Sequence, residues 1–455
     1  MEIILEQING FVWGVPALIL IVGVGIYLSI GTEFAQIRLL PQALRTFFGN
    51  FRKGDRGESS AKALCTALAA TVGTGNIAGV AGAIAIGGPG SIFWMWVCGI
   101  LGMITKYAEA ALSVHYRQKD RSGNTLGGPM YMIQKGMGRR WRWLAALYCL
   151  FGVVAAFGMG NATQINAVTQ GIGAVLAYFD ISLGTYGKLA LGSFFAALAG
   201  ICLLGGAKRI GNIAYLLVPI VSAGYILLSL GALFHNAGRI PSAFAAILQG
   251  AVSPEAVTGG SIGSVWLCLR VGASRGVFTN EAGMGTAGIA HGSAENVRPA
   301  DQGLMGIMEV FVDTLVICTL TALVILTSGV TVRYGLDEGA ALTVSAFACT
   351  YGPGVSIPIA LFLCCFAFAT MLGWGLYGLE CMRFLFGSEA CRFFVFLQTG
   401  ASVASVLLNT GMVWMLAETV NGLMAIPNLL ALAALSPVLF RLVYQQKKER
   451  PPGAP

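Results

Sequence analysis

Apolar stretches about as long as a bilayer is thick, separated by short polar or basic loops, run along almost the whole chain. A spanning helix needs roughly 20 mostly apolar residues. Eleven segments meet that pattern: 11–31, 63–87, 91–113, 144–165, 187–205, 212–234, 261–282, 303–328, 356–378, 392–411 and 415–440. The longest connection between them, near 117–143, is too short for a soluble domain. IPSAFAAILQGAV (240–252) reads as an amphipathic helix lying at the interface. The tail QQKKERPPGAP is polar and proline-bearing, which predicts disorder. The pattern therefore predicts one all-α integral membrane unit over 1–440 and a short tail over 441–455.

Two of these segments are interrupted. TVGTGNIAGVAGA (71–83) packs Gly73, Thr74, Gly75 and Asn76 into an otherwise apolar span. Small residues and threonines can form a helix-packing face, but the amide of Asn76 needs several partners in hydrocarbon. Beside Gly-x-Gly a helix can unwind without steric penalty. Unwinding frees backbone N–H and C=O groups, which is tolerated only where protein, water or a ligand satisfies them. A half-helix N-terminus can then hold a carboxylate, and freed carbonyls can hold a cation. RGVFTNEAGMGTAGIAH (275–291) is the second interruption, at the end of the seventh span. It follows the first by five spans, the offset of an inverted five-helix repeat.

Composition agrees with the pattern. The chain is 56% hydrophobic and 11% charged, with mean hydropathy +0.75, whereas soluble domains carry about 25% charged residues. The net charge of +8 would by itself point to an acidic partner, but its distribution reports topology. Lys and Arg crowd 38–62 and 117–142, and recur at Lys208, Arg209, Arg298, Arg383, Arg392 and in the tail. With eleven alternating spans all of these fall on one face; the other face holds Lys188, Arg239 and Arg333. The positive-inside rule then places the N-terminus outside and the C-terminus in the cytoplasm of a multi-pass inner (plasma) membrane protein, with no nucleic-acid partner. Glu2 and Glu6 stand where a cleavable signal would be basic. The eleven cysteines show no paired metal-ligand spacing and read as small buried residues.

GTGNIAGVAGAIAIGGPGSIFWMW (73–96), GGPMYMIQKGMG (127–138) and RGVFTNEAGMGTAGIAH resemble the alanine or glycine:cation symporter family, and the resemblance extends to about residue 440. It implies a LeuT-like fold: a leading helix (11–31), then two inverted five-helix repeats (63–234 and 261–440), each with a broken first helix. It also implies Na⁺-coupled uptake of small neutral amino acids, chiefly alanine and glycine, with H⁺ as the alternative coupling ion. A larger neutral substrate such as serine or glutamine is the second reading. Lipid is the surrounding partner and the functional unit is expected to be a monomer.

The same resemblance implies a site. Gly73, Thr74, Gly75 and Asn76 would cradle the charged ends of the substrate. Gln164 and Asn161, with Asn166, would orient it, and Gly276, Phe278 and Thr279 would close over it. Trp374 would form the floor. Sodium, a hard cation that prefers oxygen, would lie between the carbonyls of Ala70, Gly73 and Phe366 and the hydroxyl of Thr370.

Charges inside spans point to function by default. Glu309 and Asp313 share one helix face and read either as a proton relay or gate, or as a structural ion pair with Arg270 or Arg275. Lys106 and Glu109, three apart, are expected to pair locally, and Glu281 with Arg275 at an inner gate. Three scattered histidines and the lack of a Gly-x-x-x-x-Gly-Lys-Ser/Thr loop argue against an enzyme or an ATP-driven pump. The absence of a filter repeat argues against a channel.

Overall fold

The computed structural model describes residues 7–448, apart from 11, 13, 14, 52–54, 121, 122, 338, 408 and 409. Some 84% of the described residues are helical, as expected where each apolar segment must satisfy its own backbone hydrogen bonds. The helices, in chain order, are α1 (Val15–Gly31), α2 (Leu40–Asn50), α3 (Asp55–Thr71), α4 (Val80–Gly87) and α5 (Ser91–Tyr116). α6 (Arg142–Phe157) and α7 (Thr163–Tyr178) form one long run joined by a π-turn at Gly158–Ala162. α8 (Thr185–Leu203), α9 (Gly206–His235) and the short surface helix α10 (Ile240–Gly250) follow. α11 (Val265–Asn280) and α12 (Thr286–Gly292) flank the second interruption. α13 (Pro299–Val310) continues through a π-helical stretch, Phe311–Cys318, into α14 (Thr319–Ser328). The chain ends with α15 (Ala340–Tyr351), α16 (Ser356–Phe386), α17 (Ala390–Ser405) and α18 (Thr410–Lys448).

A helix stands at each of the eleven expected places, but not every one has bilayer length. Among the described residues seven helices are long and apolar enough to cross a membrane, or eight if the bent pair around residues 72–74 is one span. α1, α11 and α17 are shorter than that criterion. α15 has no counterpart in the hydrophobic pattern. The seventh segment also needs correction: α11 runs unbroken from Val265 to Asn280, and the interruption falls at 281–285 rather than within 261–282. There Glu281 (φ 55°), Gly283 (φ 93°) and Gly285 (φ 79°) are left-handed, a geometry that glycine adopts freely and that stops a helix. The tail is corrected in part. Helix continues to Lys448, where the Lys447 ammonium lies 2.9 Å from Glu33 and complements the helix C-terminus. Residues 449–455, and Glu2 and Glu6 at the other end, lie outside the described residues.

Two posts position the site. α5 lies along α11 and α13; a Cβ added to Gly306 would stand 2.6 Å from the carbonyl oxygen of Lys106, so the backbones touch. α16 lies against α6, α7 and α3, with Gly373 set directly on Ala70. The first interruption is thereby wedged between α7 and α16, and the second between α5 and α16. Gly306→Leu is expected to lower stability by about 1–3 kcal/mol through overpacking. Gly173→Ala, where an added Cβ meets nothing within 4 Å, should change it by less than about 0.5 kcal/mol. Thermal unfolding in detergent measures both.

A buried site at two helix breaks

α3 ends at Thr71, and the chain bends by 49° before it resumes at Gly75. Asn76 makes the break possible. Its Oδ1 accepts the freed amide of Gly73 at 2.8 Å, while its Nδ2 donates to the Asp313 carboxylate at 2.6 Å and to the Asp313 carbonyl at 3.2 Å. One fully buried amide thus satisfies the loose backbone and ties it to the π-helical stretch after α13. Thr74 donates to Gln164 Oε1 on α7 at 3.1 Å. Phe278 and Thr279 of α11 press on Gly75, where an added Cβ would lie 3.2 Å from Thr279 Cγ2 and 3.5 Å from the Phe278 ring. Thr370 of α16 reaches the same break. Its hydroxyl donates to the Ala69 carbonyl at 3.1 Å and would lie 2.6 Å from a Cβ on Gly73. Thr74, Asn76, Gln164, Phe278, Thr279 and Thr370 are all buried.

The structure therefore brings together Gly73, Thr74, Gly75, Asn76, Gln164, Phe278, Thr279 and Thr370. It places other expected residues differently. Asn161 donates to the main-chain carbonyl of Gln398 on α17 and accepts from the Gln398 side-chain amide, which binds helices together. Gly276 faces Met95 of α5 rather than the first break. Trp374 packs on Gly160 and donates from Nε1 to Glu281 at 2.7 Å, which makes it a strut to the second break. Ala70 lies against Gly373, and it is the Ala69 carbonyl that meets Thr370; Phe366 is buried on α16 one helical turn before Thr370. All of these donors are oxygens close to an irregular backbone, a set that suits a hard monovalent cation.

The charged residues pair across helices, not along them. Lys106 binds Glu309 at 2.7 Å rather than Glu109. Glu309 also meets His291 at 3.2 Å, not Arg270 or Arg275. Asp313 turns to Asn76 and Thr314, so Glu309 and Asp313 serve different neighbourhoods despite their shared helix. Glu281 accepts Trp374 and Thr286, not Arg275. Arg275 instead reaches Asp337 at 3.1 Å and Glu418 at 3.3 Å, toward the face opposite the basic loops. The spacing within each span was readable; which helix would supply the partner was not. Glu109 shows the consequence. Its Oε1 accepts the freed amides of Gly283 and Gly285 at 2.9 and 3.0 Å, the service that Asn76 performs at the first break.

A model of the sodium:alanine symporter family matches residues 1–453. The chain belongs to that family. It is 41% identical over 444 residues to an uncharacterized transporter of Haemophilus influenzae, an alignment covering 96% of this chain and 94% of that protein. It is also 41% identical over 446 residues to the sodium/alanine symporter AgcS of Methanococcus maripaludis, covering 96% and 95%. Among solved structures, MhsT in complex with L-phenylalanine aligns with a TM-score of 0.58 over 84% of this chain and 97% of that one, at 15% identity. That likeness is one of fold. As a member of the sodium:alanine symporter family the protein is a transporter with sodium as its coupling ion, and not an enzyme. Trp374→Phe keeps the packing but strands a buried Glu281 oxygen, which should lower stability by about 1–3 kcal/mol. Thermal unfolding compared with Trp94→Phe, whose indole meets a carbonyl in a half-buried position, checks it.

Proposed function

We propose that this protein couples inward sodium movement to uptake of small neutral amino acids, alanine and glycine, by alternating access. One observation carries the reading: the last turn of α11 before the second break presses Phe278 and Thr279 on the first break at a buried point, with a hydroxyl from α16 and an amide from α7 facing it. A free amino acid carries both charges on one carbon, and a broken helix offers amides for its carboxylate and carbonyls for its ammonium. Gly73, Thr74, Gly75 and Asn76 hold those ends, and Gln164 fixes Thr74. Asp313, held by Asn76, puts a carboxylate behind the break and favours cationic ligands. Phe278 and Thr279 stand close against Gly75, which favours a short substrate side chain over one as long as that of glutamine. Asn161, Gly276 and Trp374 brace the site from outside.

Sodium takes the oxygens between the first break and α16: the Thr370 hydroxyl, the Phe366 carbonyl and the carbonyls of residues 69–73. Bound there, it joins α3 to α16 and makes closure depend on its presence. The eleven helices are read as eleven crossings, with α3–α9 and α11–α18 as inverted repeats. The basic loops lie in the cytoplasm, the N-terminus lies outside the inner membrane, and the unit is a monomer in lipid. The pairs of Arg275 with Asp337 and Glu418 then close the outer side, while cavities of about 230 and 390 Å³ open at the basic face.

Radiolabelled uptake into proteoliposomes under an imposed sodium gradient, competed with L- and D-amino acids, tests the reading; uptake that ignores the gradient would sink it. Thr370→Ala should raise the sodium concentration for half-maximal uptake by about tenfold, the effect of losing one ligand worth about 1.4 kcal/mol, without altering the order of competing amino acids. Asn76→Ala should abolish amino-acid binding in a protein that still assembles in the membrane; wild-type affinity in that variant would remove the break from the substrate site.

A further inference from the structure

The second break is surrounded by more acid than base. Glu109 of α5, Glu281 of the break and Glu309 of α13 are all buried. Lys106 neutralises Glu309, with its ammonium 2.7 Å from Oε1. His291 of α12 stands at the other oxygen of Glu309. Ser60 donates to Gln302 Oε1 at 2.7 Å, so Gln302 turns its N–H to His291 Nδ1 at 2.7 Å. That nitrogen accepts, the ring proton lies on Nε2, and it points to Glu309 Oε2 at 3.2 Å. Glu281 has a donor for each oxygen, Trp374 at 2.7 Å and Thr286 at 2.7 Å. Glu109 is different. Its Oε1 accepts three bonds, from Gly283, Gly285 and Asn428, while its buried Oε2 has no partner.

A buried carboxylate with one bare oxygen and no counter-ion of its own is costly. A proton on Oε2 removes the charge and turns the bare oxygen into a donor. The hydroxyls of Tyr148 on α6 and Tyr377 on α16 are buried in the same neighbourhood and also lack a partner, neither of them bonded to Oε2 in this arrangement. The exit is equally plain. α12 lies directly on this segment of α5, with a Cβ on Gly288 standing 3.4 Å from the Glu109 carbonyl oxygen. The other side of α12 borders the basic-face cavity through Ile289, and Ser293 just beyond it lines the same space.

We infer that Glu109 is a proton-binding site of the transport cycle: it carries a proton while α12 is packed as seen here, and releases it toward the basic face when α12 moves away. On release the Oε2–H bond breaks, water in the cavity takes the proton, and the carboxylate stays behind, facing solvent. Closing α12 again requires a proton to return, because the one ammonium near Glu109 in the closed pocket, that of Lys106, is already held by Glu309 at 2.7 Å. Lys106 remains with Glu309 throughout. The proton site is separate from the sodium oxygens at the first break, and its role in the cycle rests on the symport reading above.

Infrared difference spectra of the purified protein, wild type minus Glu109→Gln, test the charge state directly. The expected result is loss of a protonated-carboxyl band; loss of ionised-carboxylate bands instead would overturn the inference. Should Glu109→Gln fail to fold, Asn428→Ala carries the test, because removing a donor to the Glu109 carboxyl must shift that band, and an unshifted band overturns the inference. In proteoliposomes, sodium-driven alanine uptake by the wild type should fall as the pH at the basic face is raised, and Glu109→Gln, which mimics the protonated acid, should lose that dependence. An unchanged pH profile counts against the proton site. Absence of sodium-driven uptake in the wild type, with the Glu109 band present, counts instead against the symport reading and leaves the proton site standing.

Discussion

A backbone freed from its helix inside a bilayer must find every hydrogen-bond partner within the protein, and the structure is organised around two places where this happens. At the first, one side-chain amide does the work. Asn76 holds the Gly73 N–H with its oxygen and Asp313 with its nitrogen. At the second, one carboxyl oxygen does it. Glu109 Oε1 collects the amides of Gly283 and Gly285, while Asn428 bridges that oxygen and the Gly283 carbonyl. Without such partners each free group would cost several kcal/mol in hydrocarbon, and the breaks would close into ordinary helix.

The two breaks are not independent. Phe278 and Thr279, in the last turn before the second, press on Gly75 in the first. Trp374 of α16 holds Glu281 in the second, while Thr370, one turn earlier on the same helix, reaches the first. A rigid α16 therefore touches both, and so a ligand that changes one break is felt at the other. This is the connection that symport requires, since sodium and substrate must each change the stability of the same closed state.

The charges follow a similar logic. Lys106, Glu309, His291, Gln302 and Ser60 form a buried chain from α5 through α13 and α12 to α3. On the opposite side Arg275 joins the loop at Asp337 to α18 at Glu418. Each set crosses helices that alternating access has to separate, so each contributes to one closed face and none spans both. Buried pairs of this kind add little net stability but are costly to break singly, which suits a device that must hold one arrangement and then release it whole.

Much of this was legible along the chain. Hydrophobic period located the helices and the two glycine-rich interruptions marked the breaks; Asn76 stands out as an amide in an apolar span, and the family resemblance adds Gln164, Phe278, Thr279 and Thr370. The misses share one cause. Lys106 with Glu109 and Glu281 with Arg275 follow nearness in sequence, and Glu309 with Arg270 or Arg275 follows opposite charge alone, whereas in a helical bundle it is the packing of helices that sets which residues stand closest. Helix ends were misplaced where a single left-handed residue, Glu281, or an unanticipated terminal ion pair, Lys447 with Glu33, decided them. The sequence by itself determined that the chain is a bundle of apolar helices with two interruptions that must be satisfied, because length, period and glycine content are local properties. Only the tertiary structure decided that the turn before one interruption packs on the other, that Asp313 backs one and Glu109 the other, and that one carboxyl oxygen is left bare, because each of those depends on which helices lie side by side.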